Sequence, residues 1–479
     1  MTRLSLAAGA RPSVPRDRLG DGVVHLGLGA FARAHTAVLT EDAMLATGDT
    51  RWGITGVTQT SDTVVRQLAP QDGLFTLVER GEGARAPRLV SSVSRVLAGR
   101  TDSDAVVSRI ASPRTSVVTL TVTEKGYRAR SGRLDLDDAL VRADLAGSPP
   151  VTAVGQIARG LQRRASAGAG PISVVPCDNL PSNGALTRTL VLDFVAALPS
   201  SEAADLPGWI AEHVRFPSTM VDRMVPATTP VDLDAIERET GFRDEGGVVA
   251  EPFAQWVIED SFAADRPAWE AAGAQLTADV EPWESAKLRL LNASHSLLAY
   301  LGLAAGLDTI ATTVRDPAFR LAAERMMAED ALPTIVLPDR LDGADYSASV
   351  LRRFANPALG HTTAKVGADG SQKIPLRVLS TVRACRASGR EPRWAALGVA
   401  AWMHRVATAA VLDDPLADQL RALLPEDRSA GEVVPALLRS PAVFGPDLAD
   451  DPAVTALLVD WYGILDRRGA QGIREEIGA

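Results

Sequence analysis

Apolar residues in the first half of the chain come in short runs between turn residues, and in the second half they recur at helical spacing. Short apolar runs bounded by turns are typical of buried strands, and a spacing of three to four residues is typical of helices. Such runs predict strands at residues 23–26, 52–57, 116–123 and 172–176. Strands that alternate with helices favour a parallel sheet covered by helices.

The second half has no comparable strands and is predicted to be nearly all helical, as at residues 319–327 and 394–411. Residues 261–282, rich in Ala, Gly and Pro, connect the two halves. A chain of 479 residues is long enough for two cores. We therefore predict an α/β domain of Rossmann type at residues 1–275 and a mainly α-helical domain at residues 276–479.

Composition narrows the classes of partner. A net charge of -9 gives no basic surface for nucleic acid or anionic lipid. Cys177 and Cys385 are the only cysteines, which excludes a disulfide framework and suits a reducing cytoplasm. Six histidines without a His-x-x-x-His pair argue against a metal site. With no apolar run of about 18 residues, we expect a cytoplasmic protein whose ligands are small molecules.

A glycine turn follows the first strand. Val23–Leu26 runs into Gly27-Leu28-Gly29-Ala30-Phe31-Ala32, which fits the G-x-G-x-x-G/A pattern, and a helix is predicted over residues 31–46. Small residues let the backbone approach a pyrophosphate, and the helix N-terminus supplies free N–H groups. We therefore predict that a dinucleotide binds at Gly27, Gly29, Ala30 and Phe31. Arg33 either reaches a phosphate or is a solvated helix residue.

The end of the second strand bears on the choice between NAD and NADP. An acidic residue at this place selects NAD by binding the ribose 2′-hydroxyl. The chain has Gln59, Thr60 and Ser61 before Asp62, so the acid is displaced. Asp62 either serves this role or caps the helix that follows, and Arg66 nearby leaves NADP open. NAD is the expected cofactor, with NADP not excluded.

Residues 283–300 are predicted to form one helix that carries Lys287, Asn292 and His295. At about 100° per residue, these three side chains project at roughly 0°, 140° and 80°, within one wide sector that holds a candidate base, an amide and an imidazole. A lysine among leucines is costly to bury in its charged form, so its pKa falls toward that of a general base. The alternative is that Lys287 extends to water, Asn292 caps a neighbouring helix and His295 is a satisfied core histidine.

Several motifs resemble those of one family, the polyol-specific long-chain dehydrogenases, which include mannitol 2-dehydrogenase and fructuronate reductase. The resemblance runs from about residue 23 to about residue 377. It rests on the glycine turn with Phe31 to His35, on the Lys287 helix, and on four further segments: Thr123-Glu124-Lys125-Gly126-Tyr127, Cys177-Asp178-Asn179 to Asn183-Gly184, Val221-Asp222-Arg223 to Pro226, and Asp369-Gly370-Ser371-Gln372-Lys373.

The resemblance implies reversible hydride transfer between a secondary alcohol of a linear sugar alcohol or aldonate and NAD(P), without a metal. Lys287 is the implied general base, and Asn183 and Asn292 are the implied amide donors to the reacting oxygen. The remaining implied roles are these: substrate orientation by His295, proton passage to solvent by Glu124, contacts near the nicotinamide by Asn179, Val221 and Asp222, and substrate binding by His361, Lys365 and Lys373.

The substrate stays open at this point. A carboxylate substrate such as mannonate or fructuronate would pair with the cations, and the Asp369 to Lys373 segment resembles the reductase branch. Mannitol and fructose need only hydrogen-bond donors, which the same side chains supply. Two alternative functions are a catalytically inactive dinucleotide-binding sensor and a dehydrogenase of phosphorylated polyols such as mannitol 1-phosphate. We expect a monomer or a small homo-oligomer.

Overall fold

The computed structural model describes residues 2–203, 205–339 and 341–478. The chain forms two compact units, Met1–Glu281 and Pro282–Ala479. The first unit extends past residue 275 because the strand Gln275–Thr277 pairs in parallel with Gln255–Glu259. A boundary after residue 275 would cut this strand.

The first unit is built around a parallel sheet of six strands. In chain order these are β1 (Val23–Leu26), β2 (Ile54–Thr58), β3 (Val93–Ala98), β4 (Val117–Leu120), β5 (Ile172–Pro176) and β6 (Val214–Arg215). Their order in the sheet is β6-β5-β4-β1-β2-β3, and all five pairings are parallel. This order is the one of the doubly wound dinucleotide-binding fold, so the predicted Rossmann-type fold is confirmed.

Helices cover both faces of the sheet, and two hydrophobic clusters form the core. One cluster contains Val23 and Ile54 and the other Val24 and Val57, because successive residues of a strand point to opposite faces. The α-helices of this unit are Ala30–Ala34, Thr36–Thr47, Thr63–Leu68, Ser103–Ala111, Ala139–Leu145, Ala153–Ser166, Asn183–Ala196, Ser200–Ala203, Leu206–His213 and Pro230–Thr240. Its 3₁₀ turns are Arg16–Arg18, Thr50–Trp52, Ala69–Gln71, Glu124–Tyr127 and Trp269–Ala272.

Three smaller sheets complete the first unit. Thr219–Asp222, Gln255–Glu259 and Gln275–Thr277 form one, and Val248–Ala250, Phe75–Glu79 and Arg88–Val90 form another. Ala129–Arg130 and Arg133–Leu134 form a two-stranded hairpin.

The helix predicted over residues 31–46 is in fact two helices. Ala30–Ala34 ends at His35, whose backbone leaves the helical region (φ -124°, ψ -79°), and Thr36–Thr47 then begins. The His35 ring stacks on Phe31 and meets the edge of Trp256, and Nε2 lies 2.9 Å from the carbonyl oxygen of Gln255. These long-range contacts outweigh the local preference for a continuous helix.

The second unit is mainly helical, as predicted. Its long central helix, Arg393–Thr408, is buried along most of its length. The other α-helices are Glu281–Ala286, which begins at the last residue of the first unit, Ala293–Ala304, Ile310–Thr313, Pro317–Arg325, Gly343–Phe354, Thr363–Gly367, Gly370–Ile374, Ser380–Ala387, Ala417–Ala422, Ala430–Leu438, Pro446–Ala449 and Pro452–Gly478, the last kinked at Gly469. Lys287–Asn292, Met326–Ala331 and Pro375–Leu379 are π-helical, and Leu332–Thr334 and Pro357–Leu359 are 3₁₀ turns.

A buried carboxylate caps the central helix. Asp330 is 1% exposed, and its Oδ2 accepts hydrogen bonds from the N–H groups of Trp394 at 2.8 Å and Ala395 at 2.7 Å. These donors satisfy the start of the helix. Burial nevertheless raises the pKa of Asp330 to about 7, because the two donors offset only part of the cost of removing the charge from water.

We expect stability to depend on pH through Asp330. Since its pKa is raised in the folded state, the folded protein keeps a proton that the unfolded chain releases between about pH 4 and pH 7. The free energy of unfolding should therefore fall as the pH rises through this window. For Asp330→Asn, which carries no charge, the stability relative to the parent should improve by on the order of 2 kcal/mol between pH 5 and pH 8 in urea titrations.

The matched control for this measurement is Asp342→Asn. Asp342 is an exposed helix cap that also accepts two backbone hydrogen bonds, from Ala344 and Asp345 at 2.9 Å each. Equal pH dependence of the two variants would contradict a role of burial at Asp330.

Candidate active site

The glycine turn leaves β1 at the carboxyl edge of the sheet. Gly27 has φ +99°, and a Cβ atom there would lie 2.4 Å from the carbonyl oxygen of Thr121. The N–H groups of Gly27 and Leu28 both donate to the carbonyl oxygen of Val57, at 2.8 and 3.0 Å. The turn is thus held between β2 and the segment after β4, in a conformation that a side chain at Gly27 would prevent.

An open cleft of about 250 Å³ lies beside this turn. Its floor is Gly27, Leu28 and Gly29, and its walls are Thr58, Gln59, Thr60, Ser61, Val64, Thr121, Val122, Thr123 and Gly126. A Cβ atom on Gly29 would meet nothing closer than 3.8 Å, so the space over Gly29 is free for a phosphate. The position, the uncharged lining and the first turn of the helix Ala30–Ala34, which has no side-chain cap, fit a dinucleotide.

Two of the predicted cofactor residues, Gly27 and Gly29, line this cleft, and the others do not. Arg33 was predicted to reach a phosphate or solvent, but it is only 6% exposed and is absent from the cleft. Burial lowers its pKa to about 10, and the charge of Asp244 offsets part of that effect. Nε and Nη1 of Arg33 have no hydrogen-bond partner among the described residues. Ala30 and Phe31 begin the helix behind the turn.

Asp62 lies just outside the cleft. It is exposed and forms an ion pair with Arg66, one turn later in the chain. The residues that do line this end of the cleft, Gln59, Thr60 and Ser61, are uncharged. The predicted selection of NAD by Asp62 therefore stays a prediction.

Asn183 is enclosed by backbone groups. It is fully buried; Oδ1 accepts from the N–H of Thr219 at 2.9 Å, and Nδ2 lies 3.0 Å from Thr219 O and 3.3 Å from Asp178 O. Donation to a substrate oxygen would require release of one of these carbonyls. The amide joins the loop after β5 to the strand Thr219–Asp222, and its predicted donation to the reacting oxygen stays a prediction.

The same loop is tied to the turn that carries Glu124. The hydroxyl of Tyr127 donates to Oδ2 of Asp178 and lies 3.3 Å from the hydroxyl of Thr187. Burial raises the pKa of both Asp178 and Tyr127. Glu124 and Asn179 are exposed at the two ends of this link, so their predicted roles stay predictions.

The Val221-Asp222-Arg223 motif has a structural explanation. Nη1 of Arg223 donates to Ala34 O at 2.5 Å, Nη2 to Glu79 at 2.8 Å, and Nε to Glu251 O at 3.0 Å. The guanidinium therefore caps the short helix after the glycine turn. Val221 and Asp222 are 2% and 5% exposed in their strand, and Val221 is part of a hydrophobic cluster. Their predicted contact with the nicotinamide stays a prediction.

In the second unit the lysine helix differs from the predicted regular α-helix. Lys287–Asn292 is a π-helix between Glu281–Ala286 and Ala293–Ala304. Its hydrogen bonds join residues i and i+5, so Asn292 comes one wide turn after Lys287 instead of about 140° around the helix. The wider turn lowers the angle around the helix axis between Lys287 and Asn292. Arg289 anchors it by donating to Thr381 Oγ1 at 3.0 Å and to Thr334 O at 2.9 Å.

Lys287 is 9% exposed, which agrees with the predicted burial of its ammonium group. Asn292 is half-buried and makes no side-chain capping bond to the helix Ala293–Ala304. His295 stacks on Phe354 at 4.6 Å, and its Nε2, shielded from solvent, has no hydrogen-bond partner in the described part of the chain. An unpartnered imidazole nitrogen on this helix is suited to a substrate hydroxyl.

Basic groups surround His295. Its pKa lies well below the usual range, first because of burial and then because of His361, Arg377, Lys373 and Arg353. The ring centroids of His361 and His295 are 5.7 Å apart. Burial lowers the pKa of His361, and the positive charges of Lys365 and Arg353 lower it further.

Nζ of Lys373 lies 3.3 Å from Val366 O and 4.0 Å from Asp369, its nearest carboxylate. Arg377 donates to Ser296 Oγ at 3.2 Å. The predicted substrate contacts of His361, Lys365 and Lys373 stay predictions, and Arg377 is a basic neighbour that the sequence did not single out.

Two features are absent from the described residues. No group of three or more His, Cys, Asp or Glu side chains comes together there as metal ligands would. No helix among the same residues combines the length and apolarity that crossing a membrane requires.

Fold and cleft together define a dinucleotide-binding oxidoreductase fold with a helical second unit. The chain matches the family model described as the mannitol dehydrogenase Rossmann domain over residues 21–271, and that of the mannitol dehydrogenase C-terminal domain over residues 279–465. The chain therefore belongs to the mannitol dehydrogenase family, as its motifs predicted.

Relatives are similar over nearly the whole chain. The chain is 41% identical to the uncharacterized oxidoreductase YeiQ of Escherichia coli K12, with 95% of this chain and 94% of that protein covered. It is 39% identical to the D-mannonate oxidoreductase of the same organism, with 96% of each covered. Among solved structures, Pseudomonas fluorescens mannitol 2-dehydrogenase in complex with NAD and D-mannitol matches with a TM-score of 0.86 at 34% identity, covering 100% of this chain and 99% of that one.

The structural role of Asn183 predicts the effect of its removal. In Asn183→Ala, the N–H and carbonyl of Thr219 lose their partner in a buried place, and we expect the free energy of unfolding to fall by about 3 kcal/mol. Arg188→Ala, at an exposed position of the helix that Asn183 begins, is the control and should change stability by less than about 0.5 kcal/mol. An unchanged midpoint of thermal unfolding for Asn183→Ala would show that the amide serves only a ligand.

Proposed function

We propose that the protein interconverts an aldonate of the mannonate type with its keto sugar acid, of the fructuronate type, and uses NAD as the hydride carrier. The observation that carries the choice of a carboxylate substrate is the set of basic groups around His295. The four groups with the largest influence on the His295 pKa, after burial, are all basic. A carboxylate substrate would form charge-assisted hydrogen bonds with these groups, whereas a neutral polyol would only accept ordinary hydrogen bonds from them.

The similarity to D-mannonate oxidoreductase, at 39% identity over 96% of both chains, supports this substrate class. The mannitol complex of the Pseudomonas enzyme, at 34% identity, keeps a neutral polyol as the runner-up.

The proposed chemistry needs a base, a donor to the reacting oxygen and a hydride acceptor. Lys287, in its wide turn, acts as the neutral amine and takes the proton of the substrate hydroxyl to become an ammonium group. Asn292, at the end of the same π-helical segment, donates to the oxygen as negative charge develops on it. His295 orients a neighbouring hydroxyl through Nε2. The nicotinamide of the dinucleotide supplies the chemistry of hydride acceptance.

Lysine removal tests the base. We expect Lys287→Ala to lower kcat by about 10³-fold, because the proton has no positioned acceptor. The dissociation constant for NADH, measured by fluorescence titration, should stay within about twofold. Lys125→Ala, at an exposed lysine of the first unit, is the control and should keep the parent's kcat. Turnover of Lys287→Ala at near the parent rate would refute the assignment.

A charge-removing substitution tests the substrate class. Lys373→Gln keeps hydrogen-bonding capacity but loses the charge, so kcat/KM for mannonate should fall by about tenfold or more while kcat/KM for mannitol changes little. Arg352→Gln, at the exposed neighbour of Arg353, is the control. Steady-state rates with mannonate, fructuronate, mannitol and fructose, each with NAD and NADP, give the comparison. A parent enzyme that prefers mannitol to mannonate would contradict the proposed substrate.

A further inference from the structure

A buried histidine lies beneath the glycine turn. His25, in the middle of β1, is 1% exposed and faces Thr119 in the parallel pairing of β1 with β4. Its Nδ1 lies 2.8 Å from Thr119 Oγ1, and its Nε2 lies 3.0 Å from Thr121 Oγ1. The hydroxyl of Thr121 in turn donates to the carbonyl oxygen of Gly27 at 2.8 Å. The Thr119 hydroxyl, the His25 ring, the Thr121 hydroxyl and the Gly27 carbonyl thus form one series of hydrogen bonds that ends on the glycine turn.

The chain of hydrogen bonds has a defined direction. A carbonyl oxygen only accepts, so the hydrogen of Thr121 Oγ1 is committed to Gly27. Thr121 Oγ1 must then accept from Nε2–H of His25, and Nδ1 accepts from the hydroxyl of Thr119. This assignment requires the neutral ring. Burial lowers the pKa of His25 to about 4, and the attraction of the Gly27 carbonyl offsets only part of that effect.

The Gly27 end of this series of hydrogen bonds lies in the wall of the cleft. Gly27 and Thr121 both line it, and the carbonyl of Gly27 accepts a second hydrogen bond from the N–H of Gly29 at 2.6 Å. Both lone pairs of that oxygen are therefore occupied inside the protein. A carbonyl oxygen repels a phosphate, whereas the N–H groups of the next helix attract it, so the orientation of this peptide matters for an anionic ligand.

We propose that His25 is a positioning residue for dinucleotide binding: through Thr121 it holds the Gly27 carbonyl in internal hydrogen bonds and keeps the glycine turn in its phosphate-binding conformation. This inference rests on the proposed binding of NAD in the cleft. It assigns to β1 and β4 a role in affinity that is separate from their role in the sheet.

The test is a titration of the full chain with NADH and NADPH, without substrate, followed by fluorescence. Thr121→Val removes the hydroxyl at nearly constant volume and should raise the dissociation constant about tenfold. Thr121→Ser restores the hydroxyl and should recover most of the affinity. His25→Leu should weaken binding in the parent background and have no further effect in the Thr121→Val background, because both substitutions break the same chain.

A matched threonine separates positioning from general stability. Thr115 is fully buried just before β4, at the amino end of the strands and away from the glycine turn. Its hydroxyl donates to Asp21 O at 3.2 Å. Thr115→Val should lower the thermal unfolding midpoint about as much as Thr121→Val but leave the dissociation constant within about twofold.

Equal affinities of the folded parent and Thr121→Val proteins, or independent effects of His25→Leu and Thr121→Val on affinity, would overturn the inference and leave the proposed function intact. Failure of the parent itself to bind NADH or NADPH would overturn both.

Discussion

The parallel pairing of β1 between β2 and β4 is the constraint on which the first unit depends. It brings the ends of three strands to one edge and packs the backbone of Gly27 against Thr121, where no side chain fits. The same pairing places His25 beside Thr119. The conformation of the turn is therefore set by its neighbours in the sheet, and the sheet order is what makes those neighbours adjacent.

The second unit solves a different physical problem, the burial of a lysine. An ammonium group is costly to remove from water, and a regular helix would set Asn292 about 140° around the axis from Lys287. The π-helical segment changes that geometry by widening one turn, and Arg289 stabilises it through Thr334 and Thr381. Wide turns of this kind are uncommon and occur often at functional sites. Basic groups surround the His295 ring, and its Nε2 has no hydrogen-bond partner among the residues that the structure describes.

Several conspicuous motifs have structural duties that account for much of their sequence. Arg223 closes the helix behind the glycine turn, Tyr127 holds the loop of Asp178, and Asn183 fastens that loop to the next sheet. Each of these polar groups is buried and hydrogen-bonded, and the loss of one partner would leave the other unsatisfied. A motif that looks catalytic in sequence can therefore owe its residues to the support of a binding turn.

The sequence by itself determined the α/β and helical halves, the family and the glycine turn, because apolar periodicity and glycine spacing are local signals. It also identified the lysine helix and three of its cations. Only the tertiary structure decided the break at His35, the burial of Arg33, the backbone partners of Asn183 and the π-helix at Lys287. These features depend on contacts such as those of His35 with Gln255 and Trp256, about 220 residues away in the chain. No local pattern encodes such contacts, since they exist only once the sheets and helices have packed.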